Sequence, residues 1–157
     1  MYKRILVPVD GSATSAKGLG EAIRLAKLTG ARLALVNVVD EMSLALGVEA
    51  YASYSRDVLS ALRDGAREIL DNAQARAASA GVGADTKAIE TFGARVADLI
   101  VDEAVAAKAD LIVIGTHGRR GIGRLLLGSD AEQILRLAPI PVLLVRGGET
   151  DAPVSKT

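Results

Sequence analysis

The chain has no cysteine, which excludes a disulfide framework, a thiolate metal centre and a thiol nucleophile. Aromatic residues are nearly missing, with Tyr2, Tyr51, Tyr54 and Phe92 making up the whole set. A core must therefore be built from Ala, Val, Ile and Leu, a composition that suits helices packed on a parallel sheet. Neither charge sign is in excess, since 19 basic residues cancel 19 acidic ones. No global field then favours nucleic acid or an anionic membrane. No apolar run approaches the length of a membrane span, and the strand-like residues that begin at once do not resemble a signal peptide. The expectation is a soluble, cytoplasmic protein whose 157 residues suffice for one domain with a real core.

Strand-like and helix-like segments alternate along the chain. Residues 3–9 read as a first strand, ended by Asp10, Gly11 and Ser12. A helix follows to about Leu28, with Leu19, Ala22, Ile23 and Ala26 at helical spacing and Gly30 as its C-terminal cap. Residues 32–39 form a second strand and 40–53, without a clear period, a loop. Tyr54 to Ala80 reads as a long helix with Val58, Leu62, Ile69, Ala73 and Ala77 on its inner stripe. A weaker strand covers 84–90, and a helix over 95–108 turns Val96, Leu99, Ile100 and Ala104 inward. The apolar run 109–114 is a fourth strand, 129–138 a helix, and 142–145, after Pro139 and Pro141, the last strand. This order implies an α/β three-layer sandwich around a five-stranded parallel sheet, with residues 1–146 as the domain and 147–157 as a frayed tail.

Between the fourth strand and the last helix lies the densest chemistry. Gly115, Gly118, Gly121, Gly123 and Gly128 alternate there with Arg119, Arg120 and Arg124, and Ser129 stands three residues before Glu132. Glycines let backbone N–H groups approach a ligand. A helix N-terminus adds unpaired donors and a positive dipole end, and Ser129 with Glu132 has the spacing of a capping box. Such a loop suits a polyphosphate. In α/β sheets ligands sit beyond the carboxyl ends of the strands where strand order reverses, so Asp10 and this loop face one crevice if their strands are neighbours. Asp10 equally suits a plain capping role before the first helix, and the arginines could simply be solvated. His117, the single histidine, has no acid beside it in sequence and fits a solvated loop position better than a catalytic one.

Two phosphate-binding patterns fail. From Gly11 a P-loop would need glycine at Ala16 and a hydroxyl at Gly18, and from Gly121 a dinucleotide fingerprint would need glycine at Leu126. Gly115, two residues, Gly118, nine residues, then Gly128 and Ser129 instead resembles the signature of ATP-binding universal stress proteins. The strand ending in Pro8, Val9, Asp10, Gly11 and Ser12, and the closing stretch from Ala138 to Val145, resemble that family too.

The resemblance implies strand order 3-2-1-4-5, bound ATP, and a homodimer formed through the last strand. It also implies roles for individual residues. Asp10 would lie near the ribose and phosphates, directly or through a metal, with Mg2+ as the ion. Val38 backbone would meet the adenine, flanked by Pro8 and Val9. Gly115 and Gly118 would lie against ribose and phosphates, with His117 and Arg119 beside them, and Gly128 with Ser129 would form the phosphate-binding helix start. Asp130 departs from the family pattern, because an acid there suits the helix dipole but repels a phosphate. Arg119, Arg120 and Arg124 are the counterweight.

The function expected is a nucleotide-dependent regulatory protein of the stress response, with residues 40–53 as a candidate lid. A slow ATPase or nucleotidyl-transferring enzyme, and a ligand-free dimeric adaptor, are the alternatives. No base–orienter pair is visible to support the enzymes.

Overall fold

The computed structural model describes residues 1–41, 56–116 and 127–147. Strand β1 (Arg4–Pro8) is followed by helix α1 (Ala13–Thr29) and strand β2 (Arg32–Asp40). Helix α2 (Arg56–Ser79), strand β3 (Ala84–Thr91), helix α3 (Val96–Ala106), strand β4 (Leu111–Gly115), helix α4 (Ser129–Leu137) and strand β5 (Val142–Val145) complete the order. The five strands form one parallel sheet in the order β3-β2-β1-β4-β5, the topology implied by the resemblance. The path therefore runs outward from β1 in one direction and resumes at β4 on its other side.

Strand residues alternate between two cores, as the period of two requires. Ile5, Val7, Leu33, Leu35, Leu111 and Val113 pack against α1 and α2, while Leu6, Val36 and Ile112 pack against α3 and α4. Both faces are covered, which is why the central strands read as continuous apolar runs. Helix α1 buries the expected Leu19, Ala22, Ile23 and Ala26. It ends at Gly30, whose φ of 73° lies in the left-handed region and whose N–H returns to the carbonyl of Ala26.

Three local expectations need correction. The inner stripe of α2 runs through Ala66, Leu70, Ala73 and Ala77, with Ile69 partly buried, while Val58 is 46 % exposed. Along α2 the exposed Val58 is followed by the half-buried Leu59 and Leu62, and full burial begins at Ala66. In α3, Ala97 joins Ile100 and Ala104 in the core, Val96 packs against it partly buried as expected, and Leu99 is half-buried outside that cluster. Strand β2 continues through Asp40, so that residue is not part of a loop. Residues 42–53 of the candidate lid lie outside the described residues, as does the tail beyond Gly147.

Candidate functional site at the strand ends

The carboxyl ends of β1, β2 and β4 open on a cleft of about 720 Å3, at the point where strand order reverses. Pro8, Val9 and Asp10 enter it from the end of β1, Val38 from β2, Gly115 from β4, and Gly128, Ser129 and Asp130 from the head of α4. Two stretches of sequence more than a hundred positions apart thus meet because β1 and β4 are neighbours. His117, Gly118 and Arg119 lie outside the described residues, as do Arg120 and Arg124.

The turn after β1 is held by a closed ring of three hydrogen bonds. The Ser12 N–H donates to Asp10 Oδ1 (2.8 Å), the Ser15 N–H to Ser12 Oγ (3.1 Å), and the Asp10 N–H to Ser15 Oγ (3.2 Å). Gly11 makes the turn possible with a φ of 81°. Ser12 is therefore the N-cap of α1, and the simple reading of Asp10 as that cap does not hold. Asp10 instead braces the turn through its carboxylate while lining the cleft.

The head of α4 differs from expectation. Gly128 is the N-cap, its carbonyl accepting from the Glu132 N–H (2.9 Å), and no side chain caps the helix. Ser129 is the first helical residue and is exposed, and the Glu132 carboxylate pairs with Arg136 (2.7 Å) rather than reaching back. The expected capping box is absent because the helix starts one residue earlier than it requires, at Ser129 rather than Asp130. The Gly128 N–H donates to the carbonyl of Thr116 (2.7 Å), and the Thr116 N–H to that of Val145 (2.9 Å).

Gly115 has a packing role of its own. A Cβ there would stand 2.7 Å from Thr14 Cγ2 and 2.9 Å from the carbonyl carbon and oxygen of Thr14. The first turn of α1 can settle over the end of β4 only because that side chain is missing.

Asn37, Ser15 and Thr116 line the cleft as buried polar residues that sequence reasoning passed over. Asn37 carried a signal, as the one polar residue between Leu33 and Val39. Its Nδ2 donates to the Val9 carbonyl (2.7 Å) and ties β2 to the end of β1. Nearby, Arg63 of α2 grips Glu90 through two bonds of 2.9 Å and lies 3.7 Å from Glu41. The Glu90 hydrogen bond and charge raise the Arg63 guanidinium above its ordinary value and fasten α2 to the ends of β2 and β3.

Among the described residues the cleft carries the carboxylates of Asp10, Asp40 and Asp130 and the guanidinium of Arg95, which is paired with Asp98 (2.9 Å). No group of three or more potential metal-ligating side chains occurs among those residues. No helix among them is long and apolar enough to cross a membrane.

The chain thus has a parallel sheet with a cleft at its switch point, the place where α/β proteins that bind small molecules hold them. The sequence model of the universal stress protein family matches residues 1–146, and the chain belongs to that family. It is 37 % identical over 146 residues to a universal stress protein of Methanocaldococcus jannaschii, covering 93 % of this chain and 83 % of the relative. A universal stress family protein from Burkholderia pseudomallei superimposes with a TM-score of 0.72 at 36 % identity, over 92 % of this chain and 96 % of the other. A universal stress protein from Archaeoglobus fulgidus, solved in complex with dAMP, gives 0.66 at 25 % identity over 92 % and 98 %.

Proposed function

We propose that this chain is a regulatory protein of the stress response that binds an adenine nucleotide, ATP, in the cleft between the end of β1 and the head of α4. One observation carries the reading. Pro8, Val9, Asp10, Val38, Gly115, Gly128, Ser129 and Asp130, the positions drawn from the glycine loop and the family resemblance, all line the same cleft. The dAMP bound by the Archaeoglobus fulgidus relative supports an adenine nucleotide as the class of ligand.

The base lies against the apolar surface of Pro8, Val9 and Val38, close to the Val38 main chain. Asp10, held by its ring with Ser12 and Ser15, faces the ribose and phosphates. Gly115, Gly118, Gly128 and Ser129 allow close backbone approach, and the free N–H groups in the first turn of α4 supply donors for phosphate oxygens. The carboxylates of Asp10 and Asp130 oppose a polyphosphate, so cations must balance them. Arg119, with Arg120 and Arg124, fills that need, and His117 lies in the same loop.

Mg2+ takes few protein carboxylates and completes its shell with phosphate oxygens and water. Asp10 alone fits that pattern, as one protein ligand to an ion carried in with the phosphates. Such an ion would neutralise phosphate charge.

Occupancy regulates by favouring one arrangement of the segment after β2, or of a homodimer, through differential affinity for two states. The dimer forms through β5, an edge strand whose Leu143 is 36 % exposed, because pairing covers an open edge. Residues 1–146 make the nucleotide-binding domain and 147–157 a separate tail, and the protein acts in the cytoplasm.

Calorimetry of the full chain with ATP, ADP and AMP, with and without Mg2+, tests the reading, together with mass spectrometry of small molecules released from freshly purified protein. A saturable heat at one site per chain, abolished by Gly118→Val, is expected. No heat with any adenine nucleotide and no released nucleotide would reject it.

A further inference from the structure

We propose that Asn37 determines specificity in this cleft, its Oδ1 accepting a hydrogen bond from the amino group of the bound base, so that the site selects 6-aminopurines over 6-oxopurines. The inference rests on the reading of the cleft as a nucleotide site.

Asn37 sits in a central strand whose neighbours Leu33, Leu35 and Val36 are fully enclosed, and it is itself only 5 % exposed. A buried amide at such a position is costly unless its polar atoms find partners. Half of it is satisfied, because Nδ2 donates to the Val9 carbonyl at 2.7 Å. A carbonyl oxygen can only accept, so this bond fixes which end of the amide is which. The nitrogen must face Val9 and the oxygen must face away from it.

Oδ1 has no hydrogen-bond partner among the described residues. It is not sealed from solvent either, since Arg4 Nε is the one fully enclosed side-chain polar atom left unpaired among them. Asn37 lines the cleft, so its acceptor opens there. The amide is also rigid, because the Val9 N–H is bonded to the Val36 carbonyl (2.8 Å) and the two strand ends move as one.

The wall around it is apolar, formed by Val38, Val39, Leu62, Ala66 and Ile69. A fixed acceptor in an apolar wall orients a ligand by taking a donor from it. Adenine presents an amino group at its 6-position, whereas hypoxanthine and guanine present an oxygen. Two acceptors facing each other leave both unpaired in a dry site, which is how a hydrogen-bonding pocket rejects a close analogue.

Calorimetry with dAMP and dIMP, which share sugar and phosphate, isolates the 6-substituent. Wild-type protein is expected to bind dIMP at least roughly 10-fold more weakly than dAMP. Asn37→Leu is expected to weaken dAMP to the level of dIMP and to leave dIMP unchanged, with thermal melting as the check on its fold. Because the wild-type comparison needs no variant, an unstable Asn37→Leu protein does not remove the test. Equal affinities of wild type for dAMP and dIMP overturn the role of Asn37 and leave the nucleotide site standing. Absence of heat with dAMP, dIMP and ATP alike rejects the site, and this proposal with it.

Discussion

The two ends of the sheet are built from the same strands and treat their polar groups in opposite ways. At the amino end, Asp110 accepts from the N–H groups of Lys3 (2.8 Å) and Arg4 (3.1 Å), while its own N–H returns to the Arg4 carbonyl. Asp85 is paired there with Arg4 (2.9 Å) and Arg32 (3.0 Å). Charges at that end pair with one another, although Arg4 Nε stays unpaired, and clip the strand starts of β1, β2, β3 and β4 together. At the carboxyl end, the hydrogen bonds around Asp10 and Asn37 shape a turn and fix an amide, yet leave a large cleft and an open acceptor. One end closes its polar groups largely on themselves, and the other leaves them facing an open cleft.

The comparison is broken most severely by filling the space that lets α1 close over β4. Gly115→Val puts a branched side chain where a single Cβ already stands 2.9 Å from the Thr14 main chain, and backbone cannot swing aside as a side-chain tip can. Overpacking of this kind costs about 3 kcal/mol, or a fall in melting temperature of roughly 6–12 °C for a chain of this size. Calorimetric melting of the variant checks it. An unchanged melting temperature would show that the first turn of α1 is free to shift, and Gly115 would then matter to a ligand alone.

That glycine also marks the limit of what the sequence discloses. The layers were legible because apolar runs bounded by Gly, Pro and Asp are local signals, the inner stripe of α1 follows from its 3.6-residue period, and the strand order came only with the family resemblance. The convergence of Asp10 with Gly128 and Ser129 was legible once β1 and β4 were taken as neighbours. The contact between Thr14 and Gly115 was not, because it arises from the placement of α1 over β4 and leaves no trace in either segment. Spacing alone invited a ligand-facing role for every glycine of the loop. Asn37 was visible as a polar interruption, but its partner is a backbone carbonyl, which sequence does not distinguish from any other. The burial of α2 failed at Val58, since periodicity names a helix face without saying which of its turns are covered.

The serines at the two helix starts sharpen the contrast within the cleft. Ser12→Ala removes the N-cap of α1 and opens the ring around Asp10, an expected loss of about 1 kcal/mol. Ser129→Ala removes an exposed hydroxyl that caps nothing, so the change in stability stays within about 0.5 kcal/mol. Urea midpoints of the two variants at equal slope make the comparison. A loss at Ser129 as large as that at Ser12 would restore the capping box that the geometry of Gly128 denies.

The smallest effect is expected at the amino end, where pH probes the clip directly. The hydrogen bond from Arg32, together with Arg4, holds the Asp85 carboxyl below the usual carboxylate range. A carboxyl whose pKa is lower in the folded chain than in the unfolded one binds fewer protons when folded, so folding gains from it above the unfolded value of about 3.9. That gain is lost as pH falls through the folded value, and Asp85→Asn should be slightly less stable than wild type at neutral pH and converge on it in acid. The side chain is half exposed, so solvent and salt screen the pair and the difference should shrink further in high salt. Chemical denaturation of both proteins across that pH range reads the convergence. A gap that persisted unchanged at acid pH would mean that Asp85 acts through packing or shape, and the amino end would no longer count as an electrostatic clip.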